Sequence, residues 1–166
     1  MTKFLILGGA RSGKSARAQA LAEAASPHRL FVATAEALDA EMTDRIKRHQ
    51  ADRGEGWRTI EAPLDLVSVI QGEINPGESV LIDCLTLWLS NLFHHNRDIE
   101  QETMALCNAL QSSQVQIALV SNEIGLGLVP ETSLGRAFRA AQGRLNKKGA
   151  AVCDQVELVA AGPPLS

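Results

Sequence analysis

Near its amino terminus the chain reads Phe4-Leu5-Ile6-Leu7 and then Gly8-Gly9-Ala10-Arg11-Ser12-Gly13-Lys14-Ser15, which matches the phosphate-binding pattern G-x-x-x-x-G-K-S. An apolar run precedes the pattern and an alanine-rich segment follows it, which is the strand, loop and helix order that a P-loop needs. In such a loop backbone N–H groups surround phosphate oxygens, Lys14 offsets phosphate charge, and the Ser15 hydroxyl reaches a magnesium ion. An ordinary glycine turn needs neither the lysine nor the hydroxyl. The sequence therefore predicts a site for a nucleoside triphosphate and Mg²⁺.

The bulk composition is typical of one globular domain. The chain has 166 residues, with 45% hydrophobic and 21% charged residues, so we expect residues 1–166 to form a single P-loop nucleotide-binding domain. A net charge of -3 and an aromatic content of 4% argue against a nucleic-acid partner. No apolar run approaches transmembrane length, nothing resembles a signal peptide, and the three cysteines suggest neither a disulfide framework nor a zinc site. We expect a cytoplasmic protein.

The order of the predicted elements indicates the fold class. Five apolar runs, rich in β-branched residues, are predicted as buried strands over 3–7, 29–34, 79–84, 115–121 and 155–160. The segments between them predict helices over 14–25, 36–53, 64–73, 85–95, 99–112 and 133–150. Near-continuous apolar strands are typical of a parallel sheet covered on both sides. We therefore predict an α/β fold, a single P-loop (RecA-like) domain with a mostly parallel sheet, helices on both faces, and a ligand cleft at the carboxyl ends of the strands.

Polar residues lie at the ends of three of the predicted strands. Asp83 comes after the three apolar residues 80–82, where a carboxylate can hold the water shell of a phosphate-bound magnesium ion; it could instead cap the helix predicted from Leu85. Thr34 could cap the next helix or touch a nucleotide. Glu123 could orient or deprotonate a substrate hydroxyl, or it could cap a helix or pair with Arg136.

His49 lies on a predicted helix face with Leu38, Met42 and Ile46. A histidine on such an apolar stripe is more often a packed core residue than a catalyst. The polar run 50–53 and the charged segment 57–61 that follow favour a functional role for this imidazole. A solvated helix end and loop is the alternative interpretation of that polar cluster.

Taken together, these motifs closely resemble the bifunctional adenosylcobinamide kinase / adenosylcobinamide-phosphate guanylyltransferases of cobalamin biosynthesis. The resemblance covers nearly the whole chain. In chain order its motifs are Gly8 to Ser15, Ala33-Thr34-Ala35, Asp44-Arg45-Ile46-Lys47-Arg48-His49, Trp57-Arg58-Thr59, Asp83-Cys84-Leu85-Thr86, 121–131 and Gly143-Arg144-Leu145-Asn146.

The resemblance implies two reactions. A nucleoside triphosphate, ATP or GTP, first phosphorylates the aminopropanol hydroxyl of adenosylcobinamide, and GTP then donates GMP to adenosylcobinamide phosphate through a guanylylated histidine. That histidine corresponds to His49, and the family pattern also implies Mg²⁺ and a homotrimer. The implied nucleotide contacts are Gly8, Gly9, Ala10, Arg11, Ser12, Gly13, Lys14 and Ser15, then Ala33, Thr34, Ala35, Gln50, Ala51, Asp52, Arg53, Glu61 and Asp83.

Two points stay open at the level of the sequence. Some relatives carry a glutamate at the position of Asp83, so this carboxylate could contact either the guanosine ribose or, with Ser15, the metal. The P-loop and Asp83 would equally serve a kinase that acts on a small molecule without any nucleotidyl step, or a nucleotide-binding switch without catalysis.

Overall fold

A computed structural model describes residues 2–9, 12–36, 40–41, 43–44, 47, 53–123, 132–160 and 164–165. The strands are β1 (Lys3–Gly8), β2 (Arg29–Ala33), β3 (Trp57–Glu61), β4 (Ser79–Asp83), β5 (Ile117–Asn122), β6 (Gln155–Val159) and β7 (Pro164–Leu165). The helices are α1 (Lys14–Ala25), α2 (Leu66–Gly72), α3 (Leu85–His94), α4 (Ile99–Ser112) and α5 (Ser133–Val152). Residues 40, 41, 43, 44 and 47 are also helical.

The strands form one sheet in the order β3-β2-β4-β5-β1-β6-β7. The first six strands of this order are mutually parallel, and the short β7 pairs antiparallel with β6. Because parallel strands end at the same edge, the carboxyl ends of β1, β2, β3 and β4 all lie along one edge of the sheet. The predicted α/β fold with a mostly parallel sheet is confirmed.

Helices cover both faces of the sheet, as predicted. Alternating residues of β1 show the division: Leu5 packs with the buried residues of α2, α3, α4 and α5, whereas Phe4 and Ile6 pack with Ala18 of α1. All three β1 side chains are at least nine-tenths buried. Burial on both faces is the reason why the strands read as continuous apolar runs.

Most predicted boundaries agree with the structure to within two residues, but the segment 36–61 does not. Glu36 lies outside any helix and Arg53 lies in a turn, so the helix predicted over 36–53 is too long at both ends. Residues 57–61, for which no strand is predicted and a loop is the alternative interpretation, form the edge strand β3. Its position is secured by Arg58, whose guanidinium donates to both carboxylate oxygens of the buried Glu78 at 2.8 Å.

None of the helices that the structure describes combines the length and the apolar character needed to span a membrane.

Candidate nucleotide-binding site

The P-loop leaves the sheet at Gly8, the last residue of β1, and returns as α1 at Lys14. Gly13 sits at the start of this helix with φ 91° and ψ 10°, a left-handed conformation that favours glycine. The Lys14 ammonium donates to the Gly9 carbonyl at 2.9 Å. The lysine therefore lies over the loop, beside the positive end of α1, where it can reach a phosphate.

Ser12 gives an independent indication of a ligand. It is 4% exposed, yet its hydroxyl has no hydrogen-bond partner among the described residues. Buried hydroxyls are nearly always satisfied, so an unsatisfied one within a phosphate-binding motif suits an acceptor that arrives with the ligand. The residues present in the loop therefore fit a triphosphate.

Two neighbouring glycines of the loop offer a matched test. A Cβ on Gly8 would collide with the Ser12 hydroxyl and would lie 2.6 Å from the Val159 carbonyl, whereas a Cβ on Gly9 would meet nothing within 4 Å. We expect Gly8→Ala to lower the free energy of unfolding by about 1–3 kcal/mol, and Gly9→Ala to change it by less than about 0.5 kcal/mol. Urea denaturation of the two variants without nucleotide measures both values. Equal stabilities would contradict the close packing at Gly8.

Asp83 reaches the P-loop across the sheet. It ends β4, which is separated from β1 only by β5, and its Oδ2 accepts a hydrogen bond from the Ser15 hydroxyl at 2.9 Å. A hydroxyl and a carboxylate oxygen are ligands that suit Mg²⁺, which usually keeps several waters and phosphate oxygens. Elsewhere in the described part of the chain, no group of three or more His, Cys, Asp or Glu side chains could hold a metal ion. The Ser15–Asp83 pair therefore fits a metal that is shared with a bound nucleotide.

The alternative role of Asp83 as a helix cap is wrong. The cap of α3 is Cys84, whose sulfur accepts a hydrogen bond from the Leu87 amide at 3.4 Å. The Asp83 side chain instead accepts the hydrogen bond from Ser15 of the P-loop.

Thr34 holds the strand end that carries Asp83. Its side chain is fully buried, and its hydroxyl donates to the Cys84 carbonyl at 2.7 Å and accepts from the Cys84 amide at 2.8 Å. Its own amide donates to the Asp83 carbonyl. Both functions of the hydroxyl are therefore used within the protein, and Thr34 joins the ends of β2 and β4.

Asn91 completes this junction and was not identified from the sequence. From within α3 its amide donates to the Thr34 carbonyl at 2.7 Å and to the Pro63 carbonyl at 3.0 Å. It thereby ties together the segments that follow β2 and β3. The available signal was a polar residue between Leu89 and Leu92, which are fully buried, but periodicity alone does not show its partners.

The Cys84 thiol beside the site is expected to be unreactive. Burial raises its pKa to about 11, and burial likewise raises the pKa of Cys153 to about 12. Because the unfolded chain loses these protons first, the folded state should lose relative stability as the pH rises above the ordinary thiol pKa of about 8.5. Near pH 8 the thiolate that reacts with iodoacetamide should be scarce.

We expect Cys84 and Cys153 to be alkylated at least about 100-fold more slowly in the native protein than in urea, because only the thiolate reacts. Timed iodoacetamide labelling at pH 8, followed by peptide mass spectrometry, measures this ratio. Labelling of native Cys84 at the denatured rate would show that the thiol is neither buried nor protonated.

Arg53 and Glu61 lie near the same edge of the sheet. The Arg53 guanidinium donates to the Thr59 hydroxyl at 3.4 Å and stacks on the Phe31 ring. Burial lowers its pKa, and the negative charge of Asp83 acts in the opposite direction. Glu61 is exposed at the end of β3, in register with Ala33.

A second polar network, also missed from the sequence, supports the end of β5. The buried Ser121 hydroxyl donates to Asn146 at 2.7 Å, and the buried Gln142 amide donates to both of these side chains at 3.0 Å. Asn146 in turn donates to the Asn122 carbonyl at 3.2 Å, and the Glu123 amide donates to the Gly8 carbonyl at 3.1 Å. Helix α5 therefore fixes the point at which Glu123 adjoins the P-loop strand.

The structure thus brings most of the predicted residues to one edge of the sheet. Gly8, Gly9, Ser12 to Ser15, Ala33 to Ala35, Glu61 and Asp83 lie in strand ends or in the segments that directly follow them. Ala10, Arg11, His49, Gln50, Ala51 and Asp52 lie outside the described residues, as do Leu38, Met42 and Ile46. A cavity of about 330 Å³, lined by residues such as Ile74 and Val115, lies at the opposite edge of the sheet.

Comparison with known proteins places this site in a family. Residues 4–166 match the family described as cobinamide kinase / cobinamide phosphate guanyltransferase. The bifunctional adenosylcobalamin biosynthesis protein CobU of Escherichia coli (strain K12) is 40% identical over 174 residues, which cover 96% of each chain. The bifunctional adenosylcobalamin biosynthesis protein CobP of Pseudomonas aeruginosa is 43% identical over 163 residues, which cover 97% of this chain and 94% of the relative. The chain therefore belongs to the cobinamide kinase / cobinamide phosphate guanyltransferase family, and it is an enzyme with the kinase and guanylyltransferase activities of that family.

Proposed function

We propose that the chain uses ATP or GTP to phosphorylate adenosylcobinamide and then transfers GMP from GTP to adenosylcobinamide phosphate through a guanylylated His49. The product is adenosylcobinamide-GDP, and pyrophosphate is released. The observation that carries the kinase step is the P-loop itself, in which Lys14 lies over the loop and Ser15 bonds to Asp83. The relatives described as bifunctional support the combination of both steps in one chain.

In the kinase step the protein mainly positions and neutralises charge. The loop amides and the unsatisfied Ser12 hydroxyl would bind phosphate oxygens, and the Lys14 ammonium would exchange the Gly9 carbonyl for the β- and γ-phosphates. Ser15 and Asp83 would hold Mg²⁺, which supplies further neutralisation of the phosphate charge. The substrate hydroxyl attacks the γ-phosphorus, the bond to the β-phosphate oxygen breaks, and the hydroxyl proton leaves to a base.

In the guanylyl step His49 would act as the nucleophile. A histidine with an ordinary pKa of about 6.5 is largely neutral above pH 7 and has a free lone pair. That nitrogen attacks the α-phosphorus of GTP, a P–N bond forms, and the bond to pyrophosphate breaks. An oxygen of adenosylcobinamide phosphate then attacks the same phosphorus and the P–N bond breaks, which restores the imidazole.

The remaining nucleotide contacts are part of the same proposal. They are Ala33, Thr34, Ala35, Gln50, Ala51, Asp52, Arg53 and Glu61. Thr34 would contribute through its place in the strand junction, since its hydroxyl is already bonded to Cys84. We further propose that residues 1–166 act as one domain in the cytoplasm. We also propose that the protein is a homotrimer, and sedimentation equilibrium of the purified protein would test this oligomeric state.

A product assay tests the proposed function. Purified protein is incubated with adenosylcobinamide and Mg²⁺, first with ATP and then with added GTP, and corrinoids and pyrophosphate are measured by chromatography and mass spectrometry. We expect adenosylcobinamide phosphate first, and then adenosylcobinamide-GDP with one pyrophosphate for each molecule formed. Phosphorylation without pyrophosphate release would show that the protein is a kinase without guanylyltransferase activity. GTP binding without any corrinoid product would indicate a nucleotide-binding switch.

A further inference from the structure

The Arg53 guanidinium stacks closely on an aromatic ring. Its central carbon lies 3.5 Å from the centroid of the Phe31 ring, well within the range of a cation–π interaction. Phe31 lies in β2 and is in contact with Trp57, whose ring meets it edge-on at 6.4 Å. The Trp57 indole N–H donates to Glu23 of α1 at 3.2 Å. The ring that Arg53 stacks on is therefore also in contact with β3, and Trp57 of that strand bonds to α1.

The same face of the sheet carries the P-loop helix and Asp83. Phe31 packs against the buried cluster that includes Ala18 of α1 and Leu81 of β4. Phe31 is in register with Leu81, and Ala33 with Asp83, so Asp83 follows Leu81 by two residues on the same face of the sheet. The guanidinium is thus on the side of the sheet where α1 begins and where Asp83 bonds to Ser15.

Arg53 retains unused binding capacity. Among the described residues, its buried Nε has no hydrogen-bond partner and no carboxylate lies within ion-pair distance. Its one hydrogen bond to a described residue is the 3.4 Å contact with Thr59. An arginine stays charged in proteins even when burial lowers its pKa. A buried N–H with no acceptor is costly, so its retention here favours an acceptor that comes with a ligand.

We infer that Phe31 is a positioning residue that holds the Arg53 guanidinium as a preformed binding group for a nucleotide phosphate beside Asp83. The ring fixes the plane and the position of the guanidinium and leaves its N–H groups free for a ligand. A carboxylate partner would instead occupy those N–H groups. Arginine binds phosphate through two parallel N–H groups, so this preorganisation favours affinity. The inference rests on the proposed nucleotide site and assigns to Phe31 a role that its apolar character does not indicate.

A double-mutant cycle on GTP binding tests this inference. We expect Phe31→Leu to raise the Kd for GTP about five- to thirty-fold, which corresponds to the loss of a partly desolvated cation–π contact. Phe31→Tyr, which keeps an aromatic face, should stay within about two-fold of the wild type. Arg53→Met should weaken binding at least as much as Phe31→Leu, and the double variant should bind no more weakly than Arg53→Met. Isothermal titration calorimetry at fixed salt measures the Kd of the wild type and of the four variants.

Phe4→Leu is the matched control, because Phe4 packs in the same cluster on the same face of the sheet. It should cost stability, as Phe31→Leu does, without raising the Kd for GTP. The inference is overturned if Phe31→Leu binds GTP as tightly as the wild type, or if it weakens binding equally with and without Arg53. If wild-type protein binds GTP but makes no corrinoid product, the proposed function fails while the cycle still decides the role of Phe31.

Discussion

Replacing His49 by alanine should abolish the protein-bound GMP that forms on incubation with GTP. If the imidazole is the nucleophile, the alanine side chain cannot form the P–N bond, and the transfer of GMP to adenosylcobinamide phosphate should fall by about 10⁴-fold or more. The measurement uses GTP labelled at the α-phosphorus, with trapping of the protein and mass spectrometry of the modified peptide. A phosphoramidate must be labile in acid and stable in base, which separates it from a phosphate ester.

His28→Ala provides the matched control for this experiment. His28 is exposed and directly precedes β2, so it lies at the edge of the sheet opposite the P-loop. This variant should form the GMP adduct like the wild type. A stable adduct on the His49→Ala protein, or full transfer activity without any adduct, would overturn the histidine mechanism.

The sequence identified the parts of the site that are local patterns. The residues Gly8 to Ser15 carry their function in one continuous motif, and Asp83 is marked by the apolar strand before it. The rule that parallel strands end at a common edge was enough to predict that the P-loop and Asp83 lie close together. The 2.9 Å contact between Ser15 and Asp83 agrees with that expectation.

The residues that hold the site together were not predictable in the same way. Thr34 bonds to Cys84 and Asn91, fifty or more positions away in the chain, and Gln142 bonds to Ser121 of another element. The periodicity of the sequence does not predict such long-range hydrogen bonds, because each partner alone resembles an ordinary polar residue in an apolar element. They become visible only when the topology places the strand ends beside the helices.

The edge strand β3 shows a different limit. Arg58, Thr59 and Glu61 give it a polar composition, and its residues are partly or fully exposed, so no buried face imposes an apolar pattern. Its pairing depends on β2 and on the contact between Arg58 and Glu78. The helix cap at Cys84 was missed for a similar reason, since cysteine is not among the preferred N-cap residues and Asp83 beside it is.

Lys14→Met should nearly eliminate phosphorylation of adenosylcobinamide while leaving the fold intact. The variant keeps the aliphatic stem and loses the ammonium, which is proposed to offset charge on the phosphates as it develops during transfer. Removal of one such preorganised donor costs about 10²- to 10³-fold in rate. Within the described part of the chain the ammonium donates a solvent-exposed hydrogen bond to Gly9, so we expect a change of less than about 0.5 kcal/mol in the free energy of unfolding.

Single-turnover phosphorylation at saturating ATP measures the rate, and urea denaturation measures the stability. Lys147→Met is the control, because Lys147 is exposed on α5 and its replacement removes the same charge from the protein surface. The control should phosphorylate at the wild-type rate. If the Lys14→Met protein also phosphorylated at the wild-type rate, the phosphate charge would be offset by another group. That result would contradict transfer of the γ-phosphate at the P-loop.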